Sequence, residues 1–199
     1  MNLWVRLVVL WLTARRRSRV DLLGECVTRF RVAPGDLDAL GHVNNGRYLT
    51  LLDLARTDLL LRSGAHAVLH RRRWYPVVTA ETIAFHRELR LGQPFTVTTR
   101  TLGWDDRSIL LEQVFRRGRD GSGEVVAEAV VRALFLRVGG GRVPTADLLA
   151  ASGHDGATSP ALPDWAAAWH RAQDDLRAAR RTAAPTPVPV PVSSAARRG

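Results

Sequence analysis

The chain has 199 residues, 46% hydrophobic and 24% charged, which suits one domain with appendages better than two full domains. All of its basic residues are arginine, so Schiff-base lysine, phosphate-loop lysine and pyridoxal chemistry are excluded. Its single cysteine, Cys26, excludes an internal disulfide and any zinc site built on two thiolates.

The formal net charge is +10, and half of it sits at the start. Residues 1–35 carry seven arginines and two acids, residues 36–151 sixteen and thirteen, and residues 152–199 six and four. A nucleic-acid module places its charge on the folded face with aromatics among it. Here the body is nearly balanced, so no nucleic-acid partner is expected. One cysteine fits a reducing compartment, and a cytoplasmic location is the expectation.

Three segments follow in order: an apolar and arginine-rich stretch over 1–24, a folded domain over 25–150, and an extension over 151–199. Residues 3–12 are apolar with Trp4 and Trp11 among them, and Arg15, Arg16, Arg17 and Arg19 follow. The run falls short of the roughly 18–20 apolar residues that span a bilayer. Its charge trails the apolar part, unlike a secretory leader. Two readings of residues 3–19 stand. One is a peripheral membrane contact on the inner face, with tryptophans at headgroup level and arginines on anionic lipid. The other, which is favoured, is a short helix packed on the domain.

From Glu25 to Val32 polar and apolar residues alternate as in a strand, ended by Ala33-Pro34-Gly35-Asp36. From Asn44 to Ser63 the period turns helical. Tyr48, Leu51, Leu52, Ala55, Leu59 and Leu60 form a stripe, Asp58 and Arg62 pair four apart, and Gly64 marks the stop. A second helix covers Ala65 to Arg72. Four strands come next, over about 77–87, 95–102, 108–116 and 124–138, parted by Gly-, Pro- and Asp-rich hairpin signals. Successive hairpins imply an antiparallel sheet, whose apolar face must be buried on something. Wrapping that sheet around the long helix is the simplest α+β solution. Past Gly139-Gly140-Gly141 the signal fades. An alanine-rich helix is expected over 164–181, and the Pro/Val tail reads as extended and disordered.

The densest polar cluster runs from Asp36 to Tyr48, between the first strand and the long helix. A helix N-terminus offers unpaired N–H groups and partial positive charge, which suits a carbonyl oxygen that becomes negative during reaction. A nearby carboxylate can attack that carbonyl or deprotonate water. A plainer account is also open. Asn44 or Asn45 serves as N-cap, Asp36 satisfies loop amides, and His42 bonds only to backbone.

The run Asp36-x-Asp38-x-x-Gly41-His42-Val43-Asn44-Asn45-x-x-Tyr48 resembles the active-site segment of hotdog-fold thioesterases, the 4-hydroxybenzoyl-CoA type and the plant acyl-carrier-protein type. The resemblance covers roughly residues 25–138. The arginine- and leucine-rich start, Gly46-Arg47-Tyr48 and Trp74-Tyr75-Pro76-Val77-Val78 further resemble the thioesterase-superfamily-member group. The resemblance implies a bent five-stranded antiparallel sheet around one long central helix, and hydrolysis of an acyl thioester carried by CoA or an acyl carrier protein. It also implies a homodimer or homotetramer with the site at the subunit interface, and no metal or cofactor. Asp38 matches the family's nucleophile or general base, His42 the plant-type histidine, and Asp53 a carboxylate that several relatives carry on the helix. Two departures stand out. Leu40 replaces an asparagine of the plant enzymes, and Asn45 stands where bacterial CoA thioesterases have histidine. The expected site is therefore Asp38, His42, Asn45 and Asp53, with a non-catalytic acyl-binding or membrane-docking scaffold as the rival. A hydratase of the same fold ranks last, because its aspartate and histidine lie five apart with a proline between.

Other features are discounted. His66 and His70 lack the glutamate and third ligand of a metal motif. His86, Trp104, Trp165 and Trp169 read as strand or packing residues, and Arg71, Arg72 and Arg73, which the resemblance offers as contacts for a CoA nucleotide, read rather as a solvated run. Cys26 reads as a small core residue.

Overall fold

The computed structural model describes residues 3–182. The first helix, α1 (Leu3–Ala14), buries Arg6, Leu10 and Ala14, which recur every fourth residue and so share one face. The packed-helix expectation therefore holds, yet the opposite face stays apolar and exposed. Strand β1 (Glu25–Arg31) turns Cys26 and Thr28 inward and Arg29 and Arg31 outward, as its alternation demands.

Helix α2 (Asn45–Ser63) is capped by Asn44, whose side-chain oxygen accepts from the Gly46 N–H at 2.9 Å. Gly64, with φ of 83°, ends it, and α3 (Ala65–Arg72) restarts at once. The sheet continues through β2 (Trp74–Phe85), β3 (Pro94–Trp104), β4 (Ile109–Arg117) and β5 (Val125–Arg137). Strand β2 begins three residues before the sequence suggested and runs through Pro76. Proline supplies no ladder donor and is tolerated because β2 is an edge strand.

All pairings are antiparallel, in the order β1-β3-β4-β5-β2. A sixth, two-residue strand, β6 (Arg142–Val143), hooks onto β5 at Phe135 and Leu136. Register shifts at Val78/Ala80, Thr101/Gly103 and Phe115/Arg116 mark irregularities of the kind that bend a sheet. Within the bend, Tyr48, Leu51, Leu52 and Ala55 of α2 pack on Phe95, Val97, Phe115, Val126 and Ala129. This is the hotdog arrangement, a curved antiparallel sheet around a central helix.

After the glycine triplet the chain does not lose structure. A short helix, α4 (Thr145–Ala151), buries Leu148 against Ile109, Leu111 and Phe135. Seven residues are too few to reveal a helical period. Helix α5 (Asp164–Thr182) belongs to a second compact unit that begins at Pro163. Within it Trp165 is half exposed rather than packed. The Pro/Val tail lies outside the described residues.

Candidate active site

After β1 a single tight turn, Pro34–Asp36, carries the chain toward α2. Asp36 is buried there. Its carboxylate accepts from the Arg6 guanidinium and from the Ala33 N–H at 2.8 Å, and its carbonyl accepts from the Asn44 N–H at 2.9 Å. One residue thus ties α1, the start of the loop and the cap of α2 together. Satisfying a loop amide was expected of Asp36; the ion pair with a residue thirty positions upstream left no trace in the sequence.

The next residues close a second turn. Leu37 bridges Val43, the Asp38 N–H donates to the His42 carbonyl at 2.9 Å, and the Gly41 N–H donates to the Asp38 carbonyl at 3.1 Å. Gly41 has φ of 77°, a conformation glycine adopts without steric penalty. One Asp38 oxygen, Oδ1, accepts from the Leu40 N–H at 2.9 Å. Its Oδ2 has no donor among the described residues. The plainer account of this segment holds for Asn44, which caps α2, and for Asp36, which accepts from the Ala33 N–H, while Asp38 keeps one carboxylate oxygen on its own turn and the other open. Leu40, at the tip, is 79% exposed.

His42 takes a partner the sequence did not reveal. Its Nε2 lies 2.7 Å from Glu88 Oε2, and Arg90 Nε donates to Glu88 Oε1 at 2.6 Å. His42 and Arg90 also bridge through backbone, and the Val43 N–H donates to the Leu89 carbonyl at 2.9 Å. The segment leaving β2 therefore lies against the Asp38 loop. Asn45 is exposed in the first turn of α2, and its backbone N–H has no acceptor among the described residues.

Asp53 stands elsewhere. Eight residues into α2, about 12 Å along the axis from Asn45, it pairs with Arg56. Arg56 also donates to Gln113 Oε1 at 2.6 Å and faces Glu81 at 3.9 Å. Burial, helped by the charge of Asp53, raises the Glu81 pKa, and Arg56 opposes the rise. Asp53, Arg56 and Thr57 border a cavity of about 390 Å³ whose other walls include Leu60, Val78, Ile109, Leu111, Ala133 and Phe135. Asp38, His42 and Asn45 do not line it. The chain therefore gathers Asp38, His42 and Asn45 at one end of α2 and leaves Asp53 with an apolar cavity farther along.

A second aspartate cluster lies inside. Asp58 is fully buried, and its Oδ2 accepts from Arg17 at 2.8 Å, Thr28 at 2.8 Å and Arg62 at 3.4 Å. The expected Asp58–Arg62 pair exists, but as part of a buried network rather than as simple helix support. Burial and the Asp58 charge push the neighbouring Cys26 thiol up to about 11, despite the opposing arginines. It is no nucleophile at neutral pH. His66 and His70 are exposed on α3, and no group of three metal-ligating side chains occurs among the described residues.

Comparison with known proteins resolves the family. The model of the thioesterase-like superfamily matches residues 32–170, well over half of the chain. The chain belongs to that superfamily. Within it, the chain is 37% identical over 123 residues to Protein THEM6 of Danio rerio, a match covering 60% of this chain and 61% of that protein. It is 32% identical over 104 residues to the long-chain acyl-CoA thioesterase FadM of Escherichia coli, covering 52% and 77%. The YbaW probable thioesterase from Escherichia coli superposes with a TM-score of 0.57 at 27% identity, covering 63% of this chain and 94% of that one. The chain thus spans about three fifths of the length of the first of these curated relatives.

Proposed function

We propose that this member of the thioesterase-like superfamily hydrolyses an acyl-CoA thioester to a carboxylic acid and free thiol. The observation that carries the reading is the Asp38 loop, with one carboxylate oxygen available, set beside the uncapped Asn45 N–H at the start of α2. The Asn45 N–H and side-chain amide hydrogen-bond the thioester oxygen as it becomes negative. Asp38 removes the proton from the attacking water, or attacks the carbonyl itself to form an anhydride that water then opens. The C–S bond breaks in either route, and the thiolate leaves and takes up a proton. His42, held by Glu88, supports the loop from its other side. The acyl group occupies the apolar cavity bordered by Asp53, Arg56 and Thr57.

Loop and cavity lie at opposite ends of β2, and a homodimer would bring them together. Pro76 and Val78, near the start of β2, line the cavity. Phe85, at its end, packs edge-on against Tyr48 in the first turn of α2. The outer edge of β2 pairs with no strand among the described residues, and Tyr75, Val78 and Phe85 are exposed on it. Two such edges paired antiparallel bring the Asp38 end of one copy beside the cavity end of the other. Val78→Arg should then lower both dimer mass in sedimentation velocity and turnover.

Thiol release from short, long and aromatic acyl-CoAs tests the activity. Turnover that falls about 10²–10⁴-fold in Asp38→Asn supports it. Turnover that survives in that variant overturns the role of Asp38. Absence of turnover on every acyl-CoA and on acyl carrier protein favours the acyl-binding scaffold instead, which the anchoring of Asp38 Oδ1 within its own turn makes a coherent second reading. Single turnover in heavy-oxygen water separates the two routes: label in Asp38 marks the nucleophile.

A further inference from the structure

The outer face of α1 and the groove beside it are used by nothing in that chemistry. Trp4, Val5, Val8, Trp11 and Leu12 are each about half exposed or more, on a helix otherwise seated firmly on the domain. Two ion pairs hold this segment to the domain. Arg6, buried, pairs with Asp36, and Arg17, just past the helix, pairs with buried Asp58. A helix clamped by two such pairs presents its outer face at a fixed attitude.

The charge around that face has one sign. No acid occurs among residues 1–20, and Arg15, Arg16 and Arg19 are exposed, with the Arg15 guanidinium 5.6 Å over the Trp11 ring. Between α1 and β1 runs a groove of about 410 Å³, bordered by Val9 and Thr13 on one side and by Arg29, Arg31 and Arg119 on the other. All three of those arginines are exposed. Arg29 donates to the Arg119 carbonyl at 2.8 Å and Arg31 to the Gly92 carbonyl at 2.6 Å, so neither is neutralised by those bonds. Asp120, beside Arg119 in sequence, feels the Arg29 charge but does not line the groove.

We propose that α1 and this groove form a docking surface for an anionic phospholipid bilayer. The apolar face enters the headgroup boundary, and the groove arginines with Arg15, Arg16 and Arg19 meet phosphate and carboxylate headgroups. Twelve residues make a helix about 18 Å long, too short by itself for a hydrocarbon core of about 30 Å, and no described helix is long and apolar enough to cross a membrane. The described part of α1 meets the bilayer along its side, apolar face inward. Apolar insertion and electrostatic attraction act together at such a surface, and neither alone holds a protein firmly. The proposal is independent of the thioesterase reading.

Vesicle sedimentation of the full chain tests it, with phosphatidylcholine vesicles against phosphatidylcholine mixed with phosphatidylserine. The expected result is binding to the mixed vesicles alone, weakened by added salt, with tryptophan emission quenched by brominated lipid. Arg29→Gln and Arg31→Gln should each weaken binding about fivefold. The double variant Val8→Glu/Leu12→Glu should remove it, while its circular dichroism and urea midpoint match the parent. Equal binding to both vesicles, or to neither, overturns the proposal, as does undiminished binding by the double variant. If the double variant instead abolishes self-association seen without lipid, the face belongs to a second copy of the chain and the proposal falls.

Discussion

Two aspartates, twenty residues apart, show how one helix is used at its two ends. Asp38 lies before α2 in a loop held by backbone bonds, with one oxygen spent on its own turn and one unspent. Asp58 lies in the last third of α2, fully buried, and collects a hydroxyl and two guanidinium groups on a single oxygen. The first carboxylate keeps one oxygen without a donor among the described residues. The second is arranged to hold the chain's own parts, fastening the segment after α1 and strand β1 to the helix. The backbone around it keeps the first carboxylate in place, while the charges against it keep the second.

Substitutions should pull these roles apart. Asp58→Ala leaves Arg62 and Arg17 without their partner in the interior and should cost about 3–5 kcal/mol, read from the urea midpoint, with activity lost only because folding is lost. Asp38→Asn should do the reverse: its midpoint moves by less than about 1 kcal/mol, while kcat collapses. If Asp38→Asn proves the more destabilising of the two, the contrast between them fails. An intermediate case is Gln113, buried between the Leu52 carbonyl at 3.1 Å, Thr99 at 2.9 Å and Arg56. Gln113→Leu should cost about 1–3 kcal/mol and should raise KM if Arg56 loses its position at the cavity. Asn44→Ala removes the cap that sets the start of α2, for about 1 kcal/mol and a modest fall in kcat.

The smallest effect is a pH dependence. The Glu81 pKa is raised in the folded chain, so the folded state binds its proton more tightly than the unfolded state does. Its contribution is therefore fully present below the ordinary glutamate value of 4.5 and is lost as pH rises through the raised one. Glu81→Gln should be slightly more stable than the parent at neutral pH, and paired urea titrations should show the difference vanish in acid.

Much of the architecture was legible because it rests on local patterns. The alternation of β1, the apolar stripe of α2, the Gly64 stop and the three hairpin breaks each declare themselves within a dozen residues. What escaped notice was set by distance along the chain. Glu88 reaches His42, and Arg6 reaches Asp36, only once the sheet has curled and α1 has docked. Helix α4 escaped because seven residues carry too little periodicity. The Asp38 loop was recognisable by its residue types and spacing, but no spacing could tell that Asp53 would stand with a cavity remote from it. That separation is a property of the helix axis and the edge strand, and it is why a second copy enters the account of function.

Cys26 has a practical consequence. At a pKa of about 11, only about one thiol in ten thousand is ionised at pH 7, and it is fully enclosed besides. The chain also contains no lysine. To thiol- and amine-directed reagents its folded body is therefore almost silent, and a cysteine installed at Leu12 or Leu40 would be the one addressable handle on that body. A fluorophore or spin label placed there reports on a single chosen spot, so the outer face of α1 and the tip of the aspartate loop can each be watched in an otherwise wild-type molecule.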